Sequence, residues 1–240
     1  MQKKNRVDIW HFPFNTLKAE DFKALSLQEK EKADKFFKRE DRHMYKLSHL
    51  YLRKVLSHYF PSTKEEEWEF ETNAYGRPEL SLKHKINFYF NLSHTSSRAY
   101  IVCSNIPLCG IDVEEIKELD LSPELLNLVM NEEEQKEFFQ SNEKEKLFFK
   151  YWTLKEAHVK ALGKGLSHEI KSISFKALES QSKMFKIDDW NYYSALLEDA
   201  YYLSFAILDK EPLNINFLRK EDLCIQTNIL KKKEQGTDID

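Results

Sequence analysis

The sequence predicts an α+β fold made of two similar halves with a cleft between them. Three observations point there. Stretches with apolar residues three and four apart are interspersed with stretches that alternate every second residue, the marks of helices and strands. The order repeats coarsely: each half shows a pair of helices, a longer helix, then a few strands. The 240 residues, 41% of them hydrophobic and 13% aromatic, suffice to bury a sizeable core. The halves are placed at 1–106 and 107–230, and the polar end, 231–240, is expected to be disordered.

In the first half, Val7–Phe12 reads as a short strand stopped by Pro13. Leu17–Leu25 and Leu27–Arg39 read as helices, the second capped by Ser26. His43–Phe60 is the longer helix, with Leu47, Leu50, Val55 and Leu56 on its apolar positions and Pro61 ending it. Trp68–Thr72 alternates as a strand, Asn73–Pro78 (NAYGRP) is a turn, and Ile86–Leu92 and Ala99–Cys103 are further strands. LYLRKVL at Leu50–Leu56 can be laid beside TLKEAHV at Thr153–Val159, and the halves meet near Asn105–Gly110.

The second half opens with Leu108–Ile116, where Ile111 and Val113 share the core face and Asp112 and Glu114 the opposite one. Ser122–Met130, with a Ser-Pro start, and Glu132–Phe139 are helices. Glu143–Leu162 is the long helix; Leu154, Ala157, Ala161 and Leu162 form its apolar face, and Gly163 and Gly165 its end. Ile170–Lys176, Met184–Asp188, Tyr192–Leu197 and Tyr201–Leu208 alternate as an antiparallel meander.

Composition removes several classes of function. A net charge of −3 leaves no global basic field, so nucleic acid is not expected as a partner. No apolar run approaches the ~18–20 residues that span a bilayer, and the first residues lack the apolar core of a signal peptide. The three cysteines, Cys103, Cys109 and Cys224, have neither framework nor zinc spacing; they read as reduced thiols of a cytoplasmic protein.

The chemistry collects in a few places. Trp152, Glu156 and Lys160 are four residues apart each time and make one stripe on the long helix. Alone, Glu156 and Lys160 amount to a surface pair worth about 0.3–0.5 kcal/mol. Asp112 and Glu114 alone suit a solvated edge, and Ser93-His94-Thr95 an ordinary turn. Together the three carboxylates, with no histidine or thiolate among them, are a hard-cation set suited to Mg²⁺, which keeps waters and shares phosphate oxygens. Lys30, Lys32, Lys35, Lys38, Arg39 and Arg42 concentrate positive charge where a polyanion could be held, and Arg77 is fixed in its turn between Gly and Pro.

GIDVE at Gly110–Glu114 and YWTLKEAHVKALGKGL at Tyr151–Leu166 resemble the paired signatures of the 4′-phosphopantetheinyl transferases. FNLSHT at Phe90–Thr95, the YGRP turn and the basic KADKFFKREDRH segment resemble further motifs of the longer, Sfp-type branch, in the same order. The resemblance implies a pseudo-twofold pair of α+β halves with the active site in the cleft between them. It implies Asp112, Glu114 and Glu156 as ligands of Mg²⁺, or of Mn²⁺ in its place, and Lys32, Arg77, Ser93 and His94 around coenzyme A. Glu156 and Lys160 would be catalytic, Lys160 also contacting the pyrophosphate. Lys155 would either bind phosphate or brace the acidic cluster. The substrates would be coenzyme A and an apo acyl, peptidyl or aryl carrier protein, and a monomer is expected. Three positions depart from the family: Glu29 stands where a lysine is common, Tyr45 where a threonine can touch the nucleotide, and Arg77 replaces a lysine. A non-catalytic module binding coenzyme A or a carrier on the same fold is the competing reading.

Overall fold

Residues 5–14, 22–165, 168–175 and 183–223 are described by a computed structural model. In chain order the strands are β1 (Asn5–Pro13), β2 (Phe70–Thr72), β3 (Pro78–Leu80), β4 (Tyr89–His94), β5 (Arg98–Ser104), β6 (Cys109–Glu115), β7 (Met184–Ile187), β8 (Trp190–Leu197), β9 (Tyr201–Leu208) and β10 (Leu213–Arg219). The helices are α1 (Leu27–Asp34), α2 (Arg39–Tyr59), α3 (Pro123–Val129), α4 (Glu132–Gln140) and α5 (Lys144–Leu162).

Two four-stranded sheets, ordered β10-β1-β5-β4 and β6-β9-β8-β7, carry the architecture; β2 and β3 form a separate pair. The duplication is explicit in the pairing. A strand, a long helix and a hairpin recur, and in each half the first strand lies antiparallel to the last strand of its hairpin: β1 on β5, and β6 on β9. The long helices α2 and α5 occupy equivalent places.

Alternation along the strands builds three cores in four layers. Val7 and Ile9 of β1 face Ile111 and Val113 of β6 and Phe205 of β9 in a core shared by both sheets. Trp10 and Phe12, on the other face of β1, pack under Leu47, Tyr51 and Val55 of α2. Leu154, Ala157 and Ala161 of α5 cover the outer face of the second sheet. Gly110 lets β6 pass close beneath α5: a Cβ there would overlap the Ala157 carbonyl oxygen and the Ala161 amide nitrogen, and would lie 3.0 Å from Ala161 Cα.

Several expectations are corrected. The helix expected over Leu27–Arg39 ends at Asp34, and the next begins at Arg39. Between them the chain turns so that Phe36 packs on Tyr45, ring centroids 5.4 Å apart, which a continuous helix would not allow. The strand expected from Ile170 is a 3-10 helix, His168–Ser172, because Ile170 and Phe175 are buried beside α3 and α5 instead of pairing in a sheet. The strand β10 was not anticipated, and it changes the division at 107–230: it pairs parallel with β1, so the second half gives its last strand to the first sheet. The helix expected over Leu17–Leu25 lies mostly outside the described residues, with Phe22–Ala24 a 3-10 turn. The tail 231–240 and Cys224 also lie outside them. Cys103 and Cys109 are buried thiols; burial pushes Cys109 up to about 12 and Cys103 well above its ordinary value.

Candidate active site

The two sheets meet where β4 runs beside β6, and side chains, not a backbone ladder, join them. Asn91 and Ser93 are two apart on β4 and so share a face. Asn91 Oδ1 accepts the Ile111 amide at 3.0 Å, and Ser93 Oγ accepts the Val113 amide at 3.3 Å. Ser93 Oγ also donates to Asp112 Oδ1 at 2.9 Å. From α5, Lys160 Nζ donates to the same Asp112 oxygen at 2.6 Å and to Ser93 Oγ at 3.1 Å. Serine, aspartate and lysine thus close a triangle drawn from β4, β6 and α5.

Glu156 stands one turn before Lys160, beside Asp112. Burial, then the charges of Asp112 and Glu114, push its carboxyl up to about 7 against the opposing pull of Lys160. Glu114 is raised by burial and by Asp112, while the Trp152 indole N–H, 3.4 Å away, holds it down. The His94 imidazole is lowered by burial and by nearby Lys160, so it is neutral at neutral pH. Ser93, His94, Asp112, Glu114, Trp152, Glu156 and Lys160 line one cleft of about 310 Å³.

The donor set suits a hard cation. Asp112 is 3% exposed and Glu156 8%, yet Asp112 Oδ2 and Glu156 Oε1 are buried with no hydrogen-bond partner. An orphaned buried carboxylate oxygen costs about 1–3 kcal/mol or more. Two of them, from β6 and α5, are what an oxygen-preferring ion would satisfy. Among the described residues no three His, Cys, Asp or Glu side chains form a ready-made cage. The expected three-carboxylate set is therefore not assembled as such, and the fit to a hard cation rests on the two orphaned oxygens of Asp112 and Glu156.

The remaining predicted residues are placed elsewhere. Arg77 lines an adjoining recess of about 270 Å³ with Tyr75, Asn91, Glu156, Lys160 and Gly163. Lys32 lines a third, of about 410 Å³, with Glu29, Tyr45 and His49; the two recesses share Pro78 as a wall. Glu29, where the family favours lysine, is a structural group. It closes the α1 capping box with Ser26 and meets Arg53 at 2.7 Å and His49 at 3.0 Å. Burial alone would raise its carboxyl, but the His49 and Arg53 hydrogen bonds prevail and hold it at about 2.

Lys155 is not in the site, which corrects both roles expected of it. Its ammonium is 0% exposed and donates to Glu134 at 2.6 Å and to the Val129 carbonyl at 2.7 Å. Burial lowers it and Glu134 opposes that shift. It anchors the start of α4 to α5. Glu134, Asn91 and Asn73 were not singled out in the sequence. Asn91 carried a signal in its position two before Ser93.

Two family sequence models match the chain: "4'-phosphopantetheinyl transferase, N-terminal" over residues 10–106, and "4'-phosphopantetheinyl transferase superfamily" over 108–207. Their border falls between the two sheets' opening units, at the start of β6. The chain is 28% identical over 183 residues to 4'-phosphopantetheinyl transferase gsp of Aneurinibacillus migulanus, covering 74% of this chain and 75% of that protein. It is 30% identical over 126 residues to psf-1 of Bacillus pumilus, covering 52% of each. To Sfp of Bacillus subtilis (strain 168) it is 29% identical over 156 residues, 63% of this chain and 66% of that one. The matched stretches thus span about half to three quarters of these relatives. The chain belongs to the 4′-phosphopantetheinyl transferase superfamily. It is an enzyme of that class, of the Sfp-type branch, with both α+β halves in one chain.

Proposed function

We propose that this protein transfers the 4′-phosphopantetheine group of coenzyme A to a serine of an apo acyl, peptidyl or aryl carrier protein. The observation that supports it most is the Ser93–Asp112–Lys160 triangle at the seam of the halves, with two orphaned carboxylate oxygens beside it. Asp112, Glu114 and Glu156 would hold Mg²⁺, which when bound neutralises charge on the pyrophosphate. The serine hydroxyl attacks the β-phosphorus; the bond from that phosphorus to the bridging oxygen breaks, and adenosine 3′,5′-bisphosphate departs. Glu156, in the same cleft as Asp112 and Lys160, would take the serine proton. Lys160, from its place in the same cleft, would neutralise charge gathering on the leaving phosphate. Ser93 and His94 line the same cleft; His94 would offer a ring N–H to phosphate oxygens, while Ser93 keeps Asp112 and Lys160 in place.

The cleft is already complete within one chain, which favours a monomer; sedimentation giving an obligate trimer would contradict that. No helix among the described residues is long and apolar enough to cross a membrane. The buried reduced thiols suit the cytoplasm. The test of the reaction is a product assay with coenzyme A, Mg²⁺ and an apo carrier. Adenosine 3′,5′-bisphosphate should appear one for one with holo carrier and be lost in Glu156→Gln. Coenzyme A binding without turnover would favour a non-catalytic module, and phosphate release without a carrier a phosphohydrolase.

A further inference from the structure

The NAYGRP turn between β2 and β3 belongs to the first half, but its side chains reach the end of α5 in the second. Arg77 Nη1 donates to the carbonyls of Lys160 at 3.1 Å and Ala161 at 2.9 Å. Its Nη2 donates to Phe90 O of β4 at 3.3 Å and Cys109 O of β6 at 3.4 Å. Asn73 Nδ2 donates to Gly163 O at 2.9 Å, and Asn73 Oδ1 holds the turn by accepting the amides of Tyr75 and Arg77. The fit is close: a Cβ on Gly163 would come 3.0 Å from Asn73 Nδ2 and 3.3 Å from Arg77 Cδ.

A helix leaves its last four carbonyls without intrahelical partners and carries partial negative charge there. Asn73 and Arg77 supply donors to that end of α5, and Arg77 supplies a positive charge as well. The four Nη hydrogens are all directed at backbone carbonyls, and Nε, the fifth donor, is buried without a partner. That single buried N–H cannot give the two-pronged grip by which an arginine holds a phosphate. A lysine could not replace this arrangement, because one ammonium cannot span four carbonyls from three elements.

We propose that Arg77, assisted by Asn73, is a positioning residue that clamps the end of α5 against β4 and β6. It thereby sets where Lys160 stands relative to Asp112 and Ser93. The nucleotide contact that family resemblance implies for Arg77 is not the work of its side chain. The kinetic part of this inference rests on the transferase reading; the clamp itself does not.

The test measures kcat and KM for coenzyme A, with an apo carrier, in Arg77→Met, Arg77→Lys and Asn73→Ala. Displacing Lys160 by about an ångström in Arg77→Met should lower kcat roughly ten- to a hundredfold and leave KM within about threefold. Arg77→Lys should recover part of the loss. In a Lys160→Met background, Arg77→Met should cost less than about threefold more, because both act through one group. A KM raised tenfold with kcat kept would mean a phosphate contact and overturn the proposal, as would full additivity. Should Arg77→Met fail to fold, Asn73→Ala removes one bond to the end of α5 and the two that hold the turn, and must show the same fall in kcat; an unchanged kcat overturns the role. Hydrogen exchange without substrates separates this from the transferase reading. Faster exchange over residues 158–163 in the variants supports the clamp even if no carrier is modified, and unchanged exchange refutes it.

Discussion

Replacing Glu156 with glutamine should make the metal-free protein more stable at alkaline pH than the wild type. The buried carboxyl is pushed from its ordinary 4.5 to about 7, first by burial and then by Asp112. Between those values the folded state keeps a proton that the unfolded chain has released. This group's contribution to stability is therefore greatest below about pH 4.5 and is lost as pH rises through 7, where the charged form must be accommodated. At about 1.4 kcal/mol for each pH unit, the full penalty comes to about 3 kcal/mol and is present by about pH 8. Glutamine has no such titration. Urea unfolding of both proteins from about pH 4.5 to 8.5 in a chelator should show Glu156→Gln gaining steadily on the wild type until the curves level off. Excess Mg²⁺ should then stabilise the wild type more than the variant, since an ion bound only by the folded state adds to its stability. Parallel pH curves would refute the reasoning.

The other predictions concern the frame around the site. Gly110→Ala sets a methyl against backbone atoms of Ala157 and Ala161, which cannot swing aside. It should cost about 1–3 kcal/mol or more in thermal or urea unfolding and lower kcat with it. Lys155→Met leaves Glu134 buried and unpaired, which should cost about 3–5 kcal/mol. Adding Glu134→Gln, which removes the uncompensated charge and keeps an acceptor for one of the Phe175 and Asn131 amides, should restore part of that, read by the same unfolding curves. Asn91→Ala removes the acceptor for the Ile111 amide at the seam and should cost about 1–3 kcal/mol.

Much of this arrangement was legible because it is periodic. The apolar face of α5, the Gly163 cap and the alternation of Ile111 and Val113 with Asp112 and Glu114 follow from local geometry and the structure bears them out, but α5 is no amphipathic surface helix: Lys155, Glu156 and His158 are buried as well. The Ser122 and Ser26 caps were legible for the same reason, since their signals lie within four residues. What was missed depends on distant partners. The parallel pairing of β10 with β1 links residues about two hundred apart. Lys155 looked like a member of the charged motif, and only the placement of Glu134, 21 residues earlier, shows why an ammonium is tolerated at no exposure. Asp112 suited a solvated edge when taken with its neighbours alone. It is buried because Ser93 and Lys160 converge on it from two other elements. The donors of Arg77 are likewise directed at carbonyls of α5, β4 and β6 that no local pattern reveals.

The most direct test of the central claim is the intact mass of an apo carrier protein after incubation with this protein, coenzyme A and Mg²⁺. The account predicts a gain of one phosphopantetheine on the carrier serine, abolished by a chelator and by Asp112→Asn or Glu156→Gln. No mass gain across acyl, peptidyl and aryl carriers would contradict it, and so would a gain that survives loss of both carboxylates.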